Sequence, residues 1–291
     1  MISVRSGINS SEIKQSAKYT LFVEGKSNEA IDPFVLKELL PNIKIEAMGP
    51  SYYIKSVAEA LFPSHPEYFF LIDRDHYDDS EVEDTWRNFP DPGKNNLLIW
   101  RRKEFENYFL IPEFLSKSNF IKCSVDELTE KIRRLCQERL WLTVSNYTII
   151  KLREELKKNW INIFSNPQDF STKEDSINLL LKCPEFSDYS KKVKAATAEK
   201  HIKAIFDSYS NLFSLGKDTL HYGEGKWLEF IDGKKVLNQV VASRNFMVKD
   251  QSGAELSVNE KKKQIARDLI RNKSLPADFI ELKRIITEKV R

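Results

Sequence analysis

Cysteine is scarce in this chain: Cys123, Cys136 and Cys183 are the only three in 291 residues. Their odd number, wide spacing and lack of a C-x-x-C exclude a disulfide framework, a zinc knuckle and a thioredoxin-like redox pair. They read as reduced cytosolic thiols. Glycine (9) and proline (11) are also few, which excludes collagen-like and low-complexity chains. No apolar run approaches the ~18 residues of a membrane helix, and the opening MISVRSGINS lacks an apolar signal core. The expectation is a cytoplasmic protein without membrane contact. The four histidines, His65, His76, His201 and His221, form no H-E-x-x-H or H-x-x-x-H pattern. His76, just after Asp75, reads as a surface-loop residue. No G-x-x-x-x-G-K-[ST] occurs, so any ATPase function must come from a partner.

What is present is ordinary globular material, 41% hydrophobic and 31% charged, with a net charge of +3. That length allows one large domain or two modest ones. Charge is unevenly spread. Residues 1–110 carry 13 Lys/Arg against 18 Asp/Glu, a net of −5, and residues 111–291 carry 33 against 25, a net of +8. An acidic first part and a basic second part imply different jobs, although much of the basic charge reads as solvated helix faces.

Hydrophobic periodicity places the elements. Tyr19–Val23 is a short run of strand formers ending at Glu24-Gly25, and residues 27–40 carry Ile31, Phe34, Val35 and Leu39 at helical spacing. Ile43–Ala47 alternates as a strand, and Ser51–Phe62 reads as a second helix. Tyr68–Ile72 is continuously apolar, as a strand covered on both faces would be. It ends in Asp73-Arg74-Asp75. A polar loop with Pro90, Pro92 and Gly93 is expected next, then a fourth strand at Leu97–Trp100. Strands alternating with helices imply a mainly parallel sheet.

Beyond Pro112 the pattern turns helical. Ser124 and Glu127 form a capping box, and helical patterns recur near 147–164, 172–182, 190–212, 257–272 and 277–290, the last bounded by Pro276. The expected division is a catalytic α/β domain over 1–115 and a mainly helical region over 116–291, with 225–245 returning to the catalytic site.

Acids stand at three of the four strand ends: Glu24, Asp73 with Asp75, and Glu104 with Glu106. In a 2-1-3-4 strand order Glu24 and Asp73 share one rim, where parallel sheets bind ligands. Taken singly, each acid also reads as a loop charge, a turn or a helix cap. Crowded carboxylates raise one another's pKa unless a cation joins them, and Mg²⁺ or Mn²⁺ is the natural partner. Such an ion supports in-line phosphodiester displacement. Gly25 gives the turn its freedom, and Lys26 is placed to meet a phosphate.

These motifs, LFVEGKSNEA, FFLIDRD and WRRKEFENYFL, resemble the TOPRIM domain of topoisomerases, primases and OLD-family nucleases. With Glu106-Asn107-Tyr108 added, the chain is similar to the DUF4435 branch and the AriB-type effectors of PARIS anti-phage systems. The resemblance covers residues 18–115. It implies a TOPRIM-like Rossmannoid parallel sheet with a largely α-helical C-terminal region. It also implies a Mg²⁺-dependent (or Mn²⁺-dependent) endonuclease held by an AriA-like ATPase subunit, then released as a homodimer to cut host RNA, tRNA foremost.

Carried over by position, Glu24, Asp73, Asp75 and Glu106 are catalytic and metal-ligating, with Glu104 a second metal ligand. Lys234, in Asp-Gly-Lys, resembles a later lysine turn that steadies transition-state charge; an exposed hairpin lysine is the plainer reading of it. Lys26, Arg102 and Lys103 are expected at substrate phosphates. The chain departs from the first motif at Asn28, where an acid is usual. Readings as an OLD-type DNA nuclease or a non-catalytic TOPRIM assembly subunit stand beside this one. A nucleotide-sugar transferase would use Asp-x-Asp without Glu24-Gly25. A haloacid-type phosphatase would want a small or hydroxyl residue where His76-Tyr77 stand. Tyr52-Tyr53 read as helix-packing residues or as a base-stacking pair. The run Lys261-Lys262-Lys263 with Arg267 and Arg271 reads as a solvated helix face, or as a phosphate or dimer surface.

Overall fold

The structure is a computed structural model that describes residues 18–25, 30–157, 172–182, 184–272 and 275–290. Lys26, Asn28, Cys183 and residues 158–164 of the expected 147–164 helix lie outside that set. The order is β1 (Thr20–Val23), α1 (Asp32–Leu39), β2 (Lys44–Ala47), α2 (Ser51–Leu61), β3 (Tyr68–Ile72), α3 (Asp79–Asn88) and β4 (Leu97–Ile99). A 3₁₀ helix (Phe105–Leu110), α4 (Pro112–Leu115) and α5 (Val125–Gln137) follow. Then come α6 (Leu140–Lys157), α7 (Lys173–Leu181), α8 (Pro184–Ala196) and α9 (Glu199–Ser214). The chain ends with α10 (Trp227–Phe230), α11 (Gly233–Ala242), α12 (Val258–Arg271) and α13 (Ala277–Val290).

The four strands are parallel in the order β2-β1-β3-β4, so the fold is α/β as expected. Val23 pairs with Leu71 and Ile72 with Ile99, which aligns three strand ends. β1, β3 and β4 are buried almost throughout, whereas edge strand β2 is half-exposed and carries a Lys44–Glu46 ion pair at 3.0 Å. Charge on an edge strand discourages further pairing. At the other edge, side chains replace a neighbouring strand. The Trp86 indole donates to the Ile99 carbonyl at 2.8 Å, and Thr85 Oγ1 accepts from the Ile99 amide at 3.2 Å.

Both residues belong to α3, which occupies the segment expected to be a polar loop. Only Val82 and Trp86 of this helix are buried, so its apolar stripe is too thin to register as periodicity. Its local signal is the capping box of Asp78 and Glu81. The expected 190–212 helix is also divided, at Thr197-Ala198, between α8 and α9.

Two compact units form, Met1–Glu138 with Leu228–Arg291, and Arg139–Trp227. This differs from the expected boundary at 115/116. α11 packs on the 3₁₀ helix and α12 on α1. Phe279 of α13 is fully buried against Trp100, Phe105, Tyr108 and Phe114. Burying such a ring is worth ~1.5–3 kcal/mol, and Arg101 reinforces it with ion pairs to Asp278 and Glu281 at 2.9 and 2.8 Å. The second unit has its own smaller core of Leu152, Ala196 and Ile205, with Leu156, Ile202 and Tyr209 against it. No helix among the described residues is long and apolar enough to cross a membrane.

Candidate active site

The β1 and β3 ends bring the first two acids together. The Asp73 amide donates to Glu24 Oε2 at 3.4 Å. Gly25, next in the chain, has φ +112° and exchanges two backbone hydrogen bonds with Gly49, at 3.0 and 3.1 Å. A Cβ on Gly25 would stand 2.6 Å from Ala30 Cβ. Only glycine tolerates both the dihedral and the contact.

Asp73 is 4% exposed, and its Oδ1 accepts from the Phe105 amide at 3.0 Å. That bond ties the end of β3 to the segment after β4. Asp75, at φ +46°, donates its amide to the Lys103 carbonyl at 3.2 Å and accepts from Ser51 Oγ at 3.3 Å. Between the two acids, Arg74 points inward. Its guanidinium bonds the Tyr77 and Arg101 carbonyls, pairs with Asp79 and covers the Phe230 ring at 4.4 Å. Arg74 therefore holds the turn that separates Asp73 from Asp75.

The 3₁₀ helix supplies the third acid cluster. Asn107 is fully buried, and its amide donates to the Leu228 and Ile231 carbonyls at 3.1 and 3.0 Å. A Cβ on Gly233 would meet Asn107 Oδ1 at 2.5 Å. Asn107 and a bare Gly233 thus dock the start of α11 onto the rim. The docking brings the Lys234 amide to Glu104 Oε2 at 2.8 Å. Of the expected 225–245 segment, Leu228, Ile231 and Lys234 thus contact Asn107 and Glu104, but Lys234 opens a helix capped by Asp232 and is not part of a hairpin. Glu106 is 2% exposed, and its Oε2 is sealed without a hydrogen-bond partner.

Two further residues join this group, Asp32 unforeseen and Lys262 from the basic run of the last helices. Asp32, the first residue of α1, is 7% exposed and feels the charge of Glu106 and Glu24, and Asp73 feels that of Asp32. It lies on the same connection as Asn28, and the Asp32-Pro33 helix start is the only local signal for it. Lys262 of α12 is 8% exposed beside Glu106, Lys234 and Asp32. With Lys261 at 3% exposed, it overturns the solvated-face reading of that run. Lys261 bonds Glu255 and the Phe246 carbonyl, and Arg267 pairs with Glu38 over the Phe34 ring. Periodicity cannot separate a lysine stem packed in the core from one in water.

The electrostatics follow from this crowding. Burial, then Asp32, lifts the Asp73 carboxyl well above its ordinary value, with Lys234 opposing. Burial, then Glu106, does the same to Asp32. Burial and Asp75 raise Glu24, and burial raises Glu104 and Glu106. Burial alone would depress Lys234, yet Glu106, Asp73, Asp32 and Glu104 together hold its pKa above the usual lysine value. The residue is exposed overall, although burial still weighs on its ammonium. Lys262 is lowered by burial, against the pull of Glu106.

Hard oxygen donors and an orphaned Glu106 Oε2 suit a hard divalent cation in their chemistry. Among the described residues, no three His, Cys, Asp or Glu side chains are closed into a ready ligand set. The group therefore fits an ion held by one or two carboxylates, with waters and substrate phosphate completing its shell. Arg102 approaches the Leu228 carbonyl at 3.5 Å and covers Tyr108, and the Lys103 amide donates to the Glu229 carbonyl at 2.8 Å. Tyr52 is 75% exposed and Tyr53 37%, so the Tyr52 ring stands in solvent beside Ser51 while Tyr53 is partly covered. Compared with known proteins, the chain matches no family model and no curated protein.

Proposed function

We propose that this chain is a Mg²⁺- or Mn²⁺-dependent TOPRIM endoribonuclease. It acts as the toxic effector of an anti-phage system, cutting host tRNA as a homodimer after release from an AriA-like ATPase subunit. The observation that carries the reading is the contact between Glu24 and Asp73 at adjacent strand ends. The motif resemblance to AriB-type effectors supports the RNA substrate and the biological setting.

In this reading Glu24 and Asp73 would hold the cation, with Asp75, Glu104 and Glu106 the other candidate ligands along the acidic rim. The bound ion supplies a lowered pKa for water and a clamp on the phosphate oxygens. The chain's own residues do the remainder. Glu24, raised by burial and by Asp75, serves either as a ligand to that ion or as the general base. Lys234 faces the charge that develops on the non-bridging oxygens. Arg102 and Lys103 neutralise flanking phosphates, and Tyr52 offers a ring to an unpaired base.

One observation favours a second reading, a non-catalytic assembly subunit. Lys234 already answers the carboxylate charge, and no three acids among the described residues converge on a single point. Sequencing RNA ends after controlled expression, with and without the neighbouring ATPase, separates the two. The nuclease reading predicts new tRNA ends that disappear with Glu24→Ala or Asp73→Ala. An assembly subunit leaves the RNA intact in every case.

A further inference from the structure

α12 opens at the capping box of Ser257 and Glu260, so Lys261 and Lys262 stand early in the helix, ~100° apart around its axis. Lys261 is engaged by Glu255 and the Phe246 carbonyl. Lys262 is buried too, at 8% exposed, yet among the described residues it makes no hydrogen bond and no ion pair. Among the described residues, the sealed side-chain polar atoms without a hydrogen bond are Asn96 Oδ1 and Glu106 Oε2. The Lys262 ammonium is not one of them, so it keeps a path to water. Further along the helix, Arg267 pairs with Glu38 and covers Phe34, which fixes α12 alongside α1. Asp32, the first residue of α1, and Glu106 are the acids whose charge Lys262 feels.

A lysine whose stem is packed while its ammonium stays within reach of water keeps its three N–H donors for a ligand. Glu106 leaves an oxygen unbonded nearby, yet the two do not close into an ion pair. A cation kept apart at the edge of an acidic rim has the chemistry of an anion subsite. We infer that Lys262 is a phosphate-binding residue, holding a phosphodiester that flanks the one at the carboxylates. This rests on the phosphodiester-cleaving reading of the rim.

The test is binding of fluorescein-labelled tRNA to the full chain in EDTA, followed by anisotropy across a KCl series. A lost phosphate contact lowers the slope of log Kobs against log[KCl] by about 0.7–1. Lys262→Met is expected to show that loss and Lys262→Arg to restore the slope. Lys262→Gln gives the same measurement if the methionine variant fails to fold. An unchanged slope in a folded Lys262→Met or Lys262→Gln chain overturns the subsite, as does a wild-type chain that binds no tRNA. Cleavage by Glu24→Gln at the wild-type rate would remove the catalytic reading and leave the salt-slope result standing.

Discussion

Glu24 Oε2 accepts the backbone amide of Asp73 at 3.4 Å, across a register in which Val23 lies beside Leu71. The contact joins residues 49 positions apart in the chain. It exists because β1 and β3 are parallel neighbours with aligned ends, and it sets a carboxylate against the first residue after β3.

Neutral isosteres at these two positions isolate charge from shape. Glu24→Gln and Asp73→Asn are expected to lower the cleavage rate ~10²–10³-fold, the usual loss when a transition-state contact is removed. Asp73→Asn keeps an oxygen for the Phe105 amide, so near-UV circular dichroism is expected to match the wild type. Wild-type turnover by either folded variant would contradict the site assignment.

Stability without divalent cations carries a second signature. Asp73 and Asp32 have folded pKa values raised above the ordinary 3.8, and Glu24 and Glu106 above 4.5. The folded state therefore binds more protons than the unfolded chain, and stability falls as pH rises through the raised values. In EDTA, Tm is expected to rise as pH is lowered from neutral towards 5. Asp73→Asn is expected to flatten that slope, and Mg²⁺ at neutral pH to recover part of the stability. A Tm that falls steadily over the same acid interval would refute the crowding.

Gly233 tests how the lysine reaches the rim. An alanine Cβ there would stand 2.5 Å from Asn107 Oδ1 and 3.0 Å from the Asn107 amide nitrogen. Overpacking of this kind costs ~1–3 kcal/mol. Gly233→Ala is expected to lose that much in urea unfolding and to lower the cleavage rate further by displacing Lys234. Asn107→Ala is expected to be destabilising by itself, since it frees the Leu228 and Ile231 carbonyls. Additivity of the two substitutions in the double variant would speak against the docking contact, because contacting residues couple.

Local chemistry made the sheet legible. Tyr68–Ile72 is apolar throughout and forms β3 with those bounds, and the acids after the strands follow from its position. The capping box at Ser124 likewise forms as read. What escaped depends on tertiary partners. α3 buries only Val82 and Trp86, so its pattern resembles a loop until β4 is seen to need its Trp86 and Thr85. Lys262 looks like any charged helix residue until α12 packs against α1 and α11 and buries it. Asp32 sits among helix-start residues that are usually solvated, and only packing against Glu106 and Asp73 marks it out. The role of Asn107 depends on Gly233, more than a hundred residues away, which no periodicity connects.

Removing the lysine charge tests its part in balancing the rim. Lys234→Met takes a cation away from Glu106, Asp73, Asp32 and Glu104. Their pKa values are expected to rise further, so the variant loses Tm in EDTA at neutral pH and regains more of it on adding Mg²⁺ than the wild type does. Equal responses to Mg²⁺ in thermal-shift titrations would remove Lys234 from the electrostatic balance.

The most direct measurement is calorimetric titration of Mn²⁺ into the metal-free full chain, its Glu24→Gln variant and its Asp73→Asn variant. The account predicts saturable binding by the wild type at one or two ions per chain, lost or weakened at least ~10-fold by either substitution. Wild-type Mn²⁺ binding by both folded variants, or none by the native chain, would contradict it.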